Sequence, residues 1–154
     1  MARLILAVLA GYATTFVVVM GTFTVAYLAM GAGRAFEPGT YEVTPLWLAT
    51  SFGLGFIAAI LGGVVAVSIG RHTKAAKALA AAVVVLGLLL AIPSLTSPRQ
   101  PGARDGAVPN FEAMRKAQQP SWVSLLNPFV GAVGVMVGSR LRRVSAGGTP
   151  SSVQ

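Results

Sequence analysis

The stretch "LWLATSFGLGFIAAILGGVVAVSIGRHTKAAKALAAAVVVLGLLLAI", residues 46–92, decides the fold. Two long apolar runs, Leu46–Gly70 and Ala75–Ile92, are separated by four residues, of which Arg71 and Lys74 are basic and His72 is potentially so. A helix rises about 1.5 Å per residue, and about 20 apolar residues cross a hydrocarbon core. Each run is long enough to span, and the short turn between them makes an antiparallel hairpin. Pro45 suits the first turn of its helix, and Pro93 is expected to end the next one. Lys77, near the start of that run, can reach back to the headgroups.

Two further runs lie outside this hairpin. The segment from Leu4 to Gly33 holds no charged residue, and its span is placed at residues 4–30. Arg3 and the "AGYA" ending at Ala13 loosely suit a signal peptide, but the apolar run is far longer than the 7–15 residues of a signal core. An uncleaved signal anchor is the preferred reading. The last span is placed at 122–139, with Pro128 expected to kink it. Trp47 and Trp122 stand at span ends, where interfacial aromatics belong. The chain therefore reads as all-α: a single domain, residues 1–143, of four transmembrane helices in an antiparallel up-down bundle. Its spans lie at about 4–30, 46–69, 75–92 and 122–139, and 144–154 is a small polar tail expected to be flexible.

Composition agrees. Of 154 residues, 55% are hydrophobic and 10% charged, against about 25% charged in a soluble domain. The net charge of +8 does not indicate nucleic acid, because no basic stripe is interleaved with aromatics. Anionic lipid headgroups are the natural partner of these flanking cations. The absence of cysteine excludes disulfides, thiol redox chemistry and cysteine-held metals.

Four spans put both termini on one side. That side carries Arg3, Arg71, Lys74, Lys77, Arg140, Arg142 and Arg143, against Arg34, Arg99, Arg104, Arg115 and Lys116 on the other. Basic residues near span ends mark the cytoplasmic side. The expectation is a bacterial inner membrane protein with both ends cytoplasmic. His72 in the basic turn reads as solvated, with an anion or headgroup site as the alternative.

Residues four apart share a helix face, and small ones there let helices approach closely in lipid. Ser51, Gly55, Ala59 and Gly63 form such a row, with Ala58, Gly62 and Ala66 beside it. Ala7, Gly11 and Thr15 form another, and Gly134 with Gly138 a GxxxG. These are expected to pack the bundle internally; docking a partner subunit or a second copy is the sharper alternative.

The connections carry few candidates. Pro38-Gly39 reads as a turn. Glu37 and Glu42 read as solvated loop acids, with a cation site as the weaker alternative because two carboxylates bring no further ligands. The long outer loop, 93–120, has an irregular Pro- and Gly-rich half. Its second half is expected to form a short helix over 111–119, capped by Asn110, with Phe111 and Met114 on one side. That helix would lie on the membrane surface or fold over the bundle mouth.

Apart from Lys77 at one end, no Asp, Glu, Lys, Arg or His falls inside a span. Proton-coupled transport and intramembrane proteolysis need ionisable groups at depth, and a haem needs paired axial ligands. No catalytic, metal or cofactor site is expected. The intramembrane Thr and Ser hydroxyls are expected to bond their own helices. Asn127 needs a partner, either a carbonyl freed near Pro128, a neighbouring helix or a ligand.

On the residues "LAGY", "LGGVVAVSIG" and "QPSWVSLLNPFVGAVGVMVGSRLR", the chain loosely resembles small four-helix bacterial inner-membrane proteins. The resemblance covers most of residues 3–143. It implies fold and location, and no activity. The leading expectation is a non-enzymatic accessory or packing component of a membrane assembly. The alternative is a small uncoupled carrier, or a binder of an apolar ligand such as a lipid or quinone, in a cavity lined by Tyr12, Thr15 and Asn127.

Overall fold

The computed structural model describes residues 1–96, 106 and 108–147. Four of its helices are long and apolar enough to cross a membrane. They are α1 (Ala2–Met30), α3 (Pro45–Gly70), α4 (Thr73–Thr96) and α6 (Ser121–Gly147). Two short helices, α2 (Ala32–Ala35) and α5 (Asn110–Lys116), lie in the connections. The long helices alternate in direction, so both chain ends share one end of the bundle, the terminal end; the longer connections occupy the opposite, loop end. Large apolar side chains such as Leu9, Phe16, Val17, Leu28, Ile57 and Leu90 stand exposed on the outside. In lipid this outer surface meets hydrocarbon, and the helices satisfy their own backbone groups. The chain is an all-α, multi-pass membrane protein.

The helix ends follow local chemistry. Thr44 caps α3, its hydroxyl accepting from the Trp47 N–H at 3.1 Å, and Pro45 occupies the first position. α3 closes on Arg71, the one non-glycine residue at positive φ (58°) among those described, with its N–H donating to Val67 O at 2.8 Å. That left-handed residue lets α4 begin at Thr73. The sharp reversal thus falls within the basic turn.

The expected boundaries shift at the prolines. Pro93 does not end α4, which continues to Thr96. A proline removes one backbone donor and presses on the preceding turn. Close to a helix end that loss is small, and Thr96 bonds back to Ile92 O at 3.1 Å. Pro128 likewise lies inside α6. α6 extends beyond Ser139 and through Arg143 to Gly147, so its last turn takes in residues assigned above to the tail. Residues 148–154 lie outside the described residues, as do 97–105, which hold most of the irregular half of the long loop.

α1 packs on α3, α3 on α6, and α6 on α4, with α4 also touching α1 and α3. The core is built largely of small side chains: Ala59, Ala66, Ala76 and Ala80, with Val67, Leu79 and Val135. Close backbone approach replaces large side chains as the source of packing. A Cβ added at Gly62 would meet Gly11 O on α1 at 2.7 Å, and one at Gly134 would meet Phe56 O on α3 at 2.9 Å.

The loop end is an ordered cap. Glu37, Pro38, Gly39 and Thr40 form a turn, closed by Thr40 N–H donating to Glu37 O at 3.2 Å. Gly39 has φ +71°, the positive value a type II turn requires after its proline. The chain then returns so that Phe36 pairs with Val43. Residues 41–43 also join the segment after α5, with Gln118 N–H donating to Tyr41 O at 2.8 Å and Val43 N–H to Gln118 O at 3.0 Å. A second apolar cluster, Tyr27, Ala32, Ala35, Phe36, Val43 and Ala113, holds α5 against α1 and the first connection.

Candidate functional site

Most of the small residues read from the sequence are consumed inside the bundle. Gly63 lies against the Val135 backbone and Gly138 against the Ile60 backbone, and a Cβ at Gly134 would meet Ala59 Cβ at 2.8 Å. These contacts form the α3–α6 interface. Ala58, Gly62 and Ala66 are buried beside them, and Gly62 faces Gly11 and Thr15 of α1.

Gly55 and Ser51 depart from this pattern. A Cβ at Gly55 would meet nothing within 4 Å, and Ser51 only bonds its own helix, Oγ donating to Leu48 O at 2.9 Å. Neither packs helix on helix as their spacing predicted. The reason is the partner at each level. Toward the terminal end, glycines let α6 press on α3. Toward the loop end, the contact between α3 and α6 is made instead by side chains, the rings of Phe52 and Trp122 stacking at 6.3 Å.

Ser51 and Gly55 border a cleft of about 380 Å³. Tyr12, Thr15, Phe16, Val19 and Phe23 of α1 form one wall. Gly87, Leu90, Asn127, Pro128 and Gly131 of α4 and α6 form the other, with Ser51 and Gly55 between. α4 and α6 stay together here because Gly87 receives the Pro128 ring, Cγ lying 2.5 Å from where a Cβ would stand. α1 meets α4 lower down, at Gly11 and Leu79.

Tyr12, Thr15 and Asn127 thus line one cavity. Their hydrogen bonding differs. Thr15 Oγ1 donates to Gly11 O at 3.0 Å, within its own helix. Asn127 bonds neither a neighbouring helix nor the backbone around Pro128, contrary to the expected helix-to-helix bond. Its side chain is exposed in the cleft, and neither it nor the Tyr12 hydroxyl has a hydrogen-bond partner among the described residues. Pro128 cannot donate to Ser124 O, so that carbonyl lacks its usual helical partner beside the same cleft. The rest of the lining adds Ser51, Gln119 and Ser124 to apolar side chains, and among the described residues it bears no carboxylate, ammonium or guanidinium.

A second space of about 270 Å³ adjoins the first at the loop end, sharing Val19, Phe23 and Gln119. Phe23, Tyr27 and Phe36 surround Trp47, which meets Phe23 and Tyr27 edge to face at 6.0 and 6.1 Å. Trp47 is therefore half-buried beneath the cap and not free in an interfacial belt, whereas Trp122 is 55% exposed. Asn110 is the unexpected member. It does not cap α5, whose cap position is Pro109. Its Nδ2 donates instead to Thr24 Oγ1 at 3.1 Å, and its Oδ1 is buried with no partner. No spacing in the sequence points to this pairing, because α1 and α5 are joined only in three dimensions.

The cap carries a small polar network. Lys116 Nζ donates to Glu112 Oε1 at 2.7 Å, and the Tyr41 hydroxyl donates to the same oxygen at 3.3 Å. The hydrogen bond and charge of Lys116 hold the Glu112 carboxyl below its usual range, and Glu112 raises Lys116 in turn. Phe111 is 78% exposed, and Met114 lines the second space. Glu37 and Glu42 meet through their backbones, Glu37 N–H donating to Glu42 O at 2.8 Å. Among the described residues no three His, Asp or Glu side chains come together.

At the terminal end, Arg71, His72, Lys74, Lys77 and Arg140 are exposed. Arg3 Nε donates to Ile69 O at 2.8 Å, and Arg142 Nε to Ser68 Oγ at 2.9 Å, so both terminal helices are tied to the last turn of α3. Arg143 lies within α6, and its side chain is outside the described residues. No family, curated protein or solved structure matches the chain.

Proposed function

We propose that the protein is a non-enzymatic binder, or uncoupled carrier, of an uncharged amphiphile held in the cleft between α1 and the α4–α6 pair. The observation that carries this reading is a cavity of about 380 Å³ whose described wall is apolar except for a few hydroxyl and amide groups, Asn127 having no hydrogen-bond partner among the described residues. Cavities of about 300–1,000 Å³ with a few polar groups in an apolar lining are typical of small-molecule sites. The lack of ionised groups among the described residues of its lining favours an uncharged occupant and gives no handle for proton coupling. The accessory-component reading rested on the small-residue rows together with the lack of catalytic groups. Ala59, Gly62, Gly63, Gly134 and Gly138 of those rows lie against the protein's own helices, while Ser51 and Gly55 line the cleft, which favours the cleft reading over assembly with a partner protein.

Gly55→Leu tests the proposal. The added side chain has room to enter the cleft, so the fold is retained while the space is filled. Native mass spectrometry from gentle detergent should show a stoichiometric uncharged lipid on the wild type, reduced on the variant. Equal occupancy of the two proteins, or a stoichiometric protein subunit in place of a lipid, overturns it.

The same reading places the protein in a bacterial inner membrane with the basic terminal end cytoplasmic, following the bias of Lys and Arg near the span ends. Tags at the two ends should both be protected in intact spheroplasts; a tag accessible from outside at either end refutes this orientation.

A further inference from the structure

We infer that the chamber beneath α5 is the head-group half of the same site, and that its occupant carries a hydroxyl donated to Asn110 Oδ1. The inference rests on the cleft being a ligand site, and it adds the chemistry of the ligand's polar end. Three observations carry it.

The two spaces adjoin. They share Val19, Phe23 and Gln119, and together they follow α1 from Tyr12 to Tyr27. At about 1.5 Å per residue this is a path of about 22 Å, long enough for a polar head under the cap with a chain reaching down the cleft.

The second observation is the Asn110 side chain. One end of the amide is anchored, Nδ2 donating to Thr24 Oγ1 at 3.1 Å, while Oδ1 is out of contact with water and unpaired. A buried acceptor without a donor is costly, and the cost is removed by a ligand that brings an O–H into the chamber. Asn110 lines the chamber, and a turn of the amide about its anchored end brings Oδ1 from its buried position to that donor.

The third is the charge of the lining. Among the described residues no Asp, Glu, Lys, Arg or His borders the chamber. Glu112 and Lys116 are spent on each other at the surface of the cap. A phosphate or ammonium head would enter an apolar, aromatic chamber with no counter-charge, which is strongly unfavourable. A neutral hydroxylated head beside the rings of Phe23, Tyr27 and Trp47 meets no such penalty. The ligand class is therefore a neutral alcohol with a long apolar chain.

The test uses the full-length protein in detergent, with dioleoylglycerol as probe and its acetyl ester as the matched compound lacking the hydroxyl. Binding is read by native mass spectrometry. The wild type should bind the alcohol about tenfold more tightly than the ester, the discrimination expected of one buried hydrogen bond. Asn110→Leu should bring the two to equality. Thr24→Val loosens the same contact but keeps the acceptor, so it should retain the preference. If Asn110→Leu leaves the preference intact, or Thr24→Val abolishes it as well, the head-group assignment is overturned. The cleft reading survives that result provided Gly55→Leu still weakens both probes. If neither probe binds the wild type, inference and cleft reading fall together. Equal binding of anionic phosphatidylglycerol and dioleoylglycerol overturns the neutral class.

Discussion

Two glycine-to-alanine changes in the bundle should have opposite effects, and the structure sets the size of each. At Gly134 the new methyl would sit 2.8 Å from Ala59 Cβ and 2.9 Å from Phe56 O. Ordinary contact begins at 3.4 Å, so α3 and α6 must separate by about 0.6 Å at that level. Ala59 is buried, and the carbonyl belongs to a helix backbone, so neither can swing aside. Overpacking of this kind costs about 1–3 kcal/mol. At Gly55 the same methyl meets nothing within 4 Å. Only the helix propensity term remains there, a gain of up to about 1 kcal/mol. Equilibrium unfolding in mixed micelles, followed by circular dichroism, measures both. Gly134→Ala should lower the midpoint and Gly55→Ala should hold or raise it. If Gly134→Ala is as stable as the wild type, the tight α3–α6 crossing is misplaced. If Gly55→Ala is destabilised equally, α3 is packed on that side too and the cleft does not exist.

Other perturbations address the cap and the basic turn. Tyr27→Phe removes the hydroxyl that donates to Val108 O at 2.9 Å; it should cost about 1 kcal/mol and speed amide exchange across residues 108–117. Acid should loosen the same region. Glu112 is held below its usual carboxyl range by Lys116, so its stabilisation is present above the unfolded carboxyl value and is lost as pH falls through the lowered folded one. Exchange of the Ala113 and Ala117 amides should rise in that acid window and not between pH 6 and 8; Glu112→Gln should show the faster exchange at neutral pH and flatten the response. Arg71→Gly relieves a left-handed residue at φ 58° and should hold or raise stability by up to about 1 kcal/mol; a fall in the unfolding midpoint counts against that account of the turn.

The spans were legible because charge is excluded from hydrocarbon over about 20 residues, a signal that needs no knowledge of neighbours. Boundaries slipped where a local rule met a tolerant position. Pro93 marks a lost hydrogen bond, but one turn from the end of α4 the helix absorbs it. The small-residue row showed the same limit. Ser51, Gly55, Ala59 and Gly63 are equivalent by spacing, yet only the lower two lie against α6. Which of them packs depends on where the next helix crosses, and that is set in three dimensions. Tyr12, Thr15 and Asn127 stood out as polar groups in apolar runs, and the fold brings them to one cleft. Asn110 was misread because a residue at a helix start resembles a cap in sequence, whereas its side chain is drawn to Thr24 across 86 positions.

Adjacent Gly62 and Gly63 place α3 hard against α1 and α6 respectively, both toward the terminal end, where Arg3 and Arg142 clasp its final turn. The molecule is consequently jointed like a clothes-peg. Its grip lies at one end and its jaws at the other, with the cap bridging them at the loop end. These glycine crossings and the two arginine ties all fall on the grip side, so the space between α1 and the α4–α6 pair lies where the helices are held least closely.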